Sequence, residues 1–237
     1  MDLLTIIGLI AGPGFILLGQ ALEGGNIGQL IQVTAACIVL GGTFGAVLIS
    51  YPITDLKNAL SMAKICFYSK KVDYNATIAE IIGFATKARK EGVITLEKEA
   101  KNASDTLMKL GLGAVSDGAD PQLVRDLMET QLAQMEERAM KASKVWEGAG
   151  AYSPTFGIIG AVLGLIQVMQ NLSDPTKLGA GIAVAFVATV YGLFFANLLA
   201  IPMGTKIKLR SQEEFLAKEI MIEGVLSIQA GESPALI

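Results

Sequence analysis

Four stretches of this chain run without a charged residue: Asp2 to Glu23, Glu23 to Asp55, Glu147 to Asp174, and Lys177 to Lys206. A helix rises about 1.5 Å per residue, so about 20 apolar residues cross a hydrocarbon core about 30 Å thick. Each stretch is long enough for one crossing. The pattern predicts spans near Leu3–Leu22, Leu30–Tyr51, Tyr152–Met169 and Gly181–Ile201. A cleaved secretory signal is the alternative for the first, but no basic segment precedes it and Gly24–Leu30 leads straight into the next span. The expected fold class is an all-α membrane protein with four transmembrane helices and a helical cytoplasmic domain between the second and third. The expected divisions are 1–51 for the first two spans, 52–151 for the cytoplasmic domain, 152–202 for the last two spans and 203–237 for a C-terminal cytoplasmic helix.

Outside the spans the apolar positions keep helical spacing. One helix is predicted from about Thr77 to Glu91, with Thr77 and Glu80 as a capping box and Gly92 as its stop. A second begins at Asp120–Pro121, an N-cap followed by proline in the first helical position. Its stripe of Val124, Met128, Met135, Ala139, Ala142 and Trp146 reads as core rather than as a ligand surface. Nothing stops this helix before Gly148, which leaves room for it to continue into the third span. Ile207, Phe215, Ile222 and Leu226 suggest a helix after the fourth span. Within the spans, Gly8 and Gly12, Gly41 and Gly45, and Gly160 and Gly164 are spaced four apart, a pattern that lets membrane helices approach closely.

Charge sets the expected orientation. The chain is 17% charged, against about 25% for ordinary soluble domains. Of its 19 basic residues, 14 lie in Pro52–Ala151, four follow Met203, and only Lys177 falls in a short hairpin. Lys57, Lys64, Arg138, Lys141, Lys144, Lys206, Lys208 and Arg210 flank span ends, which predicts that both termini and the long loop are cytoplasmic. Tyr51, Trp146 and Tyr152 fit an interfacial aromatic belt on that side. A net charge of −3 argues against nucleic acid as a partner. Cys37 falls inside a span and Cys66 outside one, so a disulfide between them is not expected. With no histidine and no nucleophile–base constellation, neither an enzyme, a cofactor nor a metal site is expected.

No Asp, Glu, Lys or Arg lies inside any predicted span, although a transmembrane cation path normally displays such a group. The polar groups there are neutral: Thr34, Thr43, Thr155, Gln167, Thr189, Tyr191 and Asn197 among them. Two readings are compatible with this. The hydroxyls bond back to their own helices in a purely structural protein, or the chain is one wall of a channel whose carboxylate comes from a partner.

The segment Pro154-Thr-Phe-Gly-Ile-Ile-Gly-Ala-Val-Leu-Gly-Leu165 resembles the third span of the MotA/PomA family, the A subunits of bacterial flagellar stators. Leu178 to Gly192, on through Asn197 to Ile201-Pro202, resembles the fourth span of that family, and Asp174-Pro175 matches the hairpin between them. Arg89-Lys-Glu-Gly-Val-Ile-Thr-Leu-Glu97 is similar to its cytoplasmic loop. TolQ and ExbB subunits have three spans in another arrangement and match less well, leaving an energy-transducing subunit of a non-flagellar system as the alternative.

The resemblance implies an inner-membrane ring, a pentamer, around B subunits that each bring one span with an essential Asp and a peptidoglycan-binding region. Cations passing that Asp turn the ring, which drives the rotor protein FliG. It implies that Pro154 and Pro202 frame the inner end of the ion path, and that Thr189, Ala161, Thr155 and Tyr191 border it. Arg89, Lys90 and Glu97 match the positions that engage FliG; Lys98 stands where some sodium-type relatives begin a run of further acidic residues. Sodium-driven relatives carry a Thr at the position of Ala161 as well as at Thr189. The methyl group of Ala161 offers no oxygen ligand, so protons are the expected ion.

Overall fold

The computed structural model of the chain describes residues 2–68, 72–170 and 175–236, with the side chains of 175–177 and 180 left aside. Asp174 therefore lies outside the described residues. Every regular element among them is helical. The residues group into two compact units, Met1–Ser69 with Ala139–Lys208 and Lys70–Arg138 with Leu209–Ile237.

The first unit holds the apolar helices. Helix α1 (Leu3–Leu22) opens on Asp2, whose carboxylate accepts from the Thr5 amide at 3.3 Å. None of its residues is buried. A 3-10 turn at Ile27–Leu30 leads to α2 (Val33–Ala36), a π-type stretch (Cys37–Gly41) and α3 (Gly42–Ser50). Together Ile27–Ser50 forms a second apolar helix long enough to span a membrane. Pro52 then re-aims the chain into α4 (Ile53–Phe67), an amphipathic helix with no counterpart in the sequence-based expectations.

Helix α8 runs unbroken from Pro121 to Gln170, so the amphipathic stripe and the third span are one element. Asp120 caps it as its sequence predicts, accepting from the Gln122 amide at 2.9 Å. Helix α9 (Pro175–Phe194) passes through a second π-type stretch (Phe195–Ala200) into α10 (Ile201–Gln229). Pro202 has no N–H to return to the Leu198 carbonyl, and the wider winding just ahead of it is a common way for a membrane helix to absorb that loss.

The third and fourth spans meet backbone to backbone. A Cβ on Gly192 would lie 2.7 Å from the Ser153 carbonyl oxygen, and one on Gly164 would lie 2.8 Å from both the Ala185 nitrogen and the Gly181 oxygen. Gly157 is less tight, 3.1 Å from the Ala188 carbonyl by the same measure. Of the predicted glycine pairs only Gly160 and Gly164 face the neighbouring span, Gly164 against its backbone and Gly160 against the Ala188 methyl group. Gly8, Gly41 and Gly45 face open space, and Gly12 meets only the flexible end of Leu198. Buried Val47, Ala59, Cys66, Ala142, Val145 and Ile207 form the main core of this unit.

The second unit comprises α5 (Tyr74–Glu91), a 3-10 turn at Val93–Thr95, α6 (Leu96–Ala100), α7 (Thr106–Ser116), α8 up to Arg138 and α10 from Leu209. Its core gathers Ile81, Leu96, Leu107, Met108, Leu112, Met128 and Val225, all essentially sealed from solvent. Burial of each such side chain contributes about 1.5–3 kcal/mol. Met128 is thus a core residue, as its spacing predicts. The capping box is not: α5 starts at Tyr74, and Asp73 caps it by accepting from the Ala76 amide at 3.0 Å. Asp73 is the better-placed acceptor because the helix begins a turn earlier than its apolar periodicity indicates. Glu80 instead reaches Ser104, bonding its amide at 2.8 Å and its hydroxyl at 2.6 Å.

Candidate functional site

In the membrane unit three of the predicted ion-path residues, Thr189, Ala161 and Thr155, lie on the two helices that meet at the third–fourth span contact. Pro154 is half-buried against Gly192, and Gly157 packs on the backbone of Thr189, three residues before Gly192. Thr189 is half-buried, and its hydroxyl donates to the Ala185 carbonyl at 3.3 Å, a long bond within its own helix. Ala161 is half-buried and Thr155 exposed, its hydroxyl donating to the Tyr152 carbonyl at 2.6 Å. Around them α8 exposes an aliphatic face of Ile158, Ile159, Val162, Leu165 and Ile166. Bare apolar surface of this kind suits lipid or another membrane helix.

Tyr191 turns elsewhere. Its hydroxyl donates to the Leu30 carbonyl at 2.6 Å and accepts from the Gln32 amide at 3.1 Å, fastening the fourth span to the start of the second. Pro202 is exposed and borders a groove of about 350 Å³ beside α1, together with Gly8, Asn197 and Lys206. The two prolines therefore occupy different surroundings: Pro154 is at a helix–helix contact and Pro202 is beside α1.

That groove is closed at one end by polar contacts between residues far apart along the chain. Lys206 is held by the Asp2 carboxylate at 2.6 Å and by the Thr5 hydroxyl. Thr5 also donates to the Cys66 carbonyl at 3.1 Å, and the Asp2 amide donates to Phe67 at 2.8 Å. Burial pushes the Cys66 thiol up, with Lys206 pulling the other way. Both cysteines are free thiols. The available signal was Asp2 itself, a lone acid at the mouth of an uncharged run.

In the second unit Arg89 and Lys90 end α5, where cations complement the helix dipole. Gly92 ends the helix at φ +88°, a conformation that favours glycine, and the turn at Val93–Thr95 brings the chain to Glu97 in the first turn of α6. All three charged residues are exposed, and Glu97 reaches only Lys101, at 3.8 Å. Glu99, by contrast, is committed to Lys87 at 2.7 Å. Between the charges stands Ile94, 76% exposed. Sequence reading missed it, since its exposure is set by the turn rather than by any period. Further ion pairs brace the unit. Lys218, 2% exposed, meets the Asp105 carboxylate at 2.8 Å, and Arg125 meets Glu223 at 2.8 Å. The Arg125 guanidinium holds the Glu223 carboxyl below the ordinary carboxylate range.

Four apolar helices, a glycine-lined contact without ionisable groups and a charged helical unit outside the apolar segments define a multi-pass membrane protein of the channel-subunit class. Residues 99–220 match the MotA/TolQ/ExbB proton channel family, and residues 6–92 match the N-terminal segment of Motility protein A. The chain is similar to Motility protein A of Aquifex aeolicus, 38% identical over the whole of this chain and 94% of the other. It is also similar to the solved structure of C. jejuni MotAB, with a TM-score of 0.93, 31% identity, and coverage of 99% of this chain and 92% of that one. The flagellar MotAB stator complex from Bacillus subtilis gives a TM-score of 0.89 at 33% identity, over 98% and 91% of the two chains. This chain belongs to the MotA/TolQ/ExbB proton channel family, on its MotA branch. It is a flagellar stator channel subunit, not an enzyme.

Proposed function

We propose that this chain couples inward proton flow to rotation of the flagellar rotor, in a ring of five copies around a B-type partner that supplies the membrane Asp. The observation that carries this reading is the absence of Asp, Glu, Lys and Arg from the apolar parts of the four spanning helices. A proton-channel subunit without its own membrane carboxylate needs one from a neighbour. The exposed face of Thr155, Ile158, Val162 and Ile166, with Ala161 and Thr189 beside it, is the surface for the partner span. Against it a charged carboxylate is costly and a protonated one is tolerated. Protonation thus changes how the Asp sits on the ring, and release towards the Pro154 end resets it. In this reading both termini and the second unit are cytoplasmic, and Arg89, Lys90, Ile94 and Glu97 form the surface that meets FliG. An exposed isoleucine ringed by charges gives such a contact apolar area as well as steering.

The test is proton flux into vesicles loaded with a pH-sensitive dye. The chain reconstituted alone should be silent, the chain with its B-type partner should acidify the lumen, and replacing the partner's Asp by Asn should abolish the flux. Equal flux from the chain alone would remove the proposal.

A further inference from the structure

The membrane unit contains a second cleft, of about 480 Å³, bounded by the second span, α4 and α8. It lies well within the size of small-ligand sites, about 300–1,000 Å³. Its walls are apolar. Phe44, Leu48 and Leu60 line it and are themselves 64%, 46% and 66% exposed. Among the described residues lining the cleft Lys57 alone is charged; it is exposed and makes no ion pair. Helix α4 presents Ile53, Leu56, Lys57 and Leu60 to the cleft, the i, i+3, i+4, i+7 face of an amphipathic helix, a pattern suited to a membrane surface. The cleft also has a defined depth. It begins at Leu40 and the span ends at Ser50, a rise of about 15 Å, or one leaflet of a core about 30 Å thick. At the shallow end stands Trp146, whose indole N–H donates to the Ala59 carbonyl at 3.1 Å, a residue type that favours the headgroup level.

We infer that this cleft binds an anionic phospholipid, with one acyl chain along Phe44, Leu48 and Leu60 and the headgroup phosphate at the Lys57 ammonium. A purely apolar occupant would leave the cation unused, and a zwitterionic lipid would gain less from it. One lysine near the surface favours an anionic headgroup by about fivefold.

Trp146 is the only tryptophan of the chain, so its fluorescence reports this cleft. Purified full-length chain is reconstituted into phosphatidylcholine vesicles carrying increasing amounts of dibrominated phosphatidylglycerol or dibrominated phosphatidylcholine, bromine being a contact quencher. The expected result is quenching by both lipids, half-complete at about fivefold less brominated phosphatidylglycerol than brominated phosphatidylcholine. Lys57→Gln, at an exposed position, should bring the two curves together without changing maximal quenching. Coincident curves for the unaltered chain overturn the proposal, as does a preference that survives Lys57→Gln. Fluorescence indifferent to either brominated lipid also overturns it, since no acyl chain would then reach Trp146.

Discussion

One added methyl group tests the contact on which the candidate ion path is built. In Gly164→Ala the new Cβ would lie 2.8 Å from the Ala185 nitrogen and the Gly181 oxygen, and 3.0 Å from the Ala185 Cα. Ordinary contact begins at 3.4 Å, so the helices must part by about 0.6 Å, the difference between 3.4 and 2.8 Å. The obstructing atoms are backbone, and no side chain can swing away to relieve them. Overpacking of this kind costs about 1–3 kcal/mol, which for a chain of this length lowers a thermal midpoint by roughly 2–12 °C. Gly45→Ala is the control. Nothing stands within 4 Å of its Cβ, and alanine is the better helix former by about 1 kcal/mol. Melting of detergent-solubilised chain followed by Trp146 fluorescence should separate the two variants clearly. Ala185 is also the acceptor for the Thr189 hydroxyl, so proton flux with the B-type partner should fall in Gly164→Ala and persist in Gly45→Ala. Equal midpoints for the two would refute the close backbone packing of these spans.

Further consequences concern both units. Thr189→Val keeps the shape and removes a hydroxyl whose own bond is a long 3.3 Å, so the chain should fold as before while flux drops; normal flux would remove Thr189 from the path. Asp105→Ala leaves the sealed ammonium of Lys218 only the more distant Glu214 carboxylate, at 3.6 Å, and should cost about 3 kcal/mol, seen as faster amide exchange across α7. Lys218→Met should cost less, because the Asp105 carboxylate is 24% exposed and keeps the Leu107 amide. Equal losses would assign the effect to packing. Arg125 lowers the pKa of Glu223, so their bridge is fully formed above the ordinary carboxylate value of 4.5 and lost as pH falls through the lowered one. Arg125→Gln should lose that share of acid sensitivity in a melting series below pH 4.5, and an unchanged series would show the bridge to be inert.

The spans were legible because charge is so costly in hydrocarbon that its absence marks them; the first was bounded to the residue, Leu3–Leu22. The Asp120 cap and the unbroken run of α8 were legible for similar local reasons. Helix α4 was not, since a short amphipathic segment with two lysines reads like any polar linker. Nor can spacing say which glycines face a neighbour. Gly41 and Gly45 have the same separation as Gly160 and Gly164, yet only the latter pair is turned inward. The bonds from Lys218 to Asp105 join residues 113 apart, and nothing on α10 marks that lysine as different from its solvated neighbours. For the candidate path, motif resemblance singled out Thr189, Ala161 and Pro154. The exposure of Ile94 and the fastening made by Tyr191 depend on the fold.

The polar tie between α1 and Lys206 has a consequence in time. Thr5 and Lys206 are 201 residues apart, and a ribosome adding about 5–20 residues per second needs roughly 10–40 s to travel between them. Throughout that interval the first helix, none of whose residues is buried even in the finished chain, waits in the bilayer without the cation that will hold its end. The bonds to Cys66 and Phe67 can form early, but the Lys206 part of its mooring closes only when synthesis has passed the fourth span. A chain cut short before Lys206 would lack this tie between its first helix and its last.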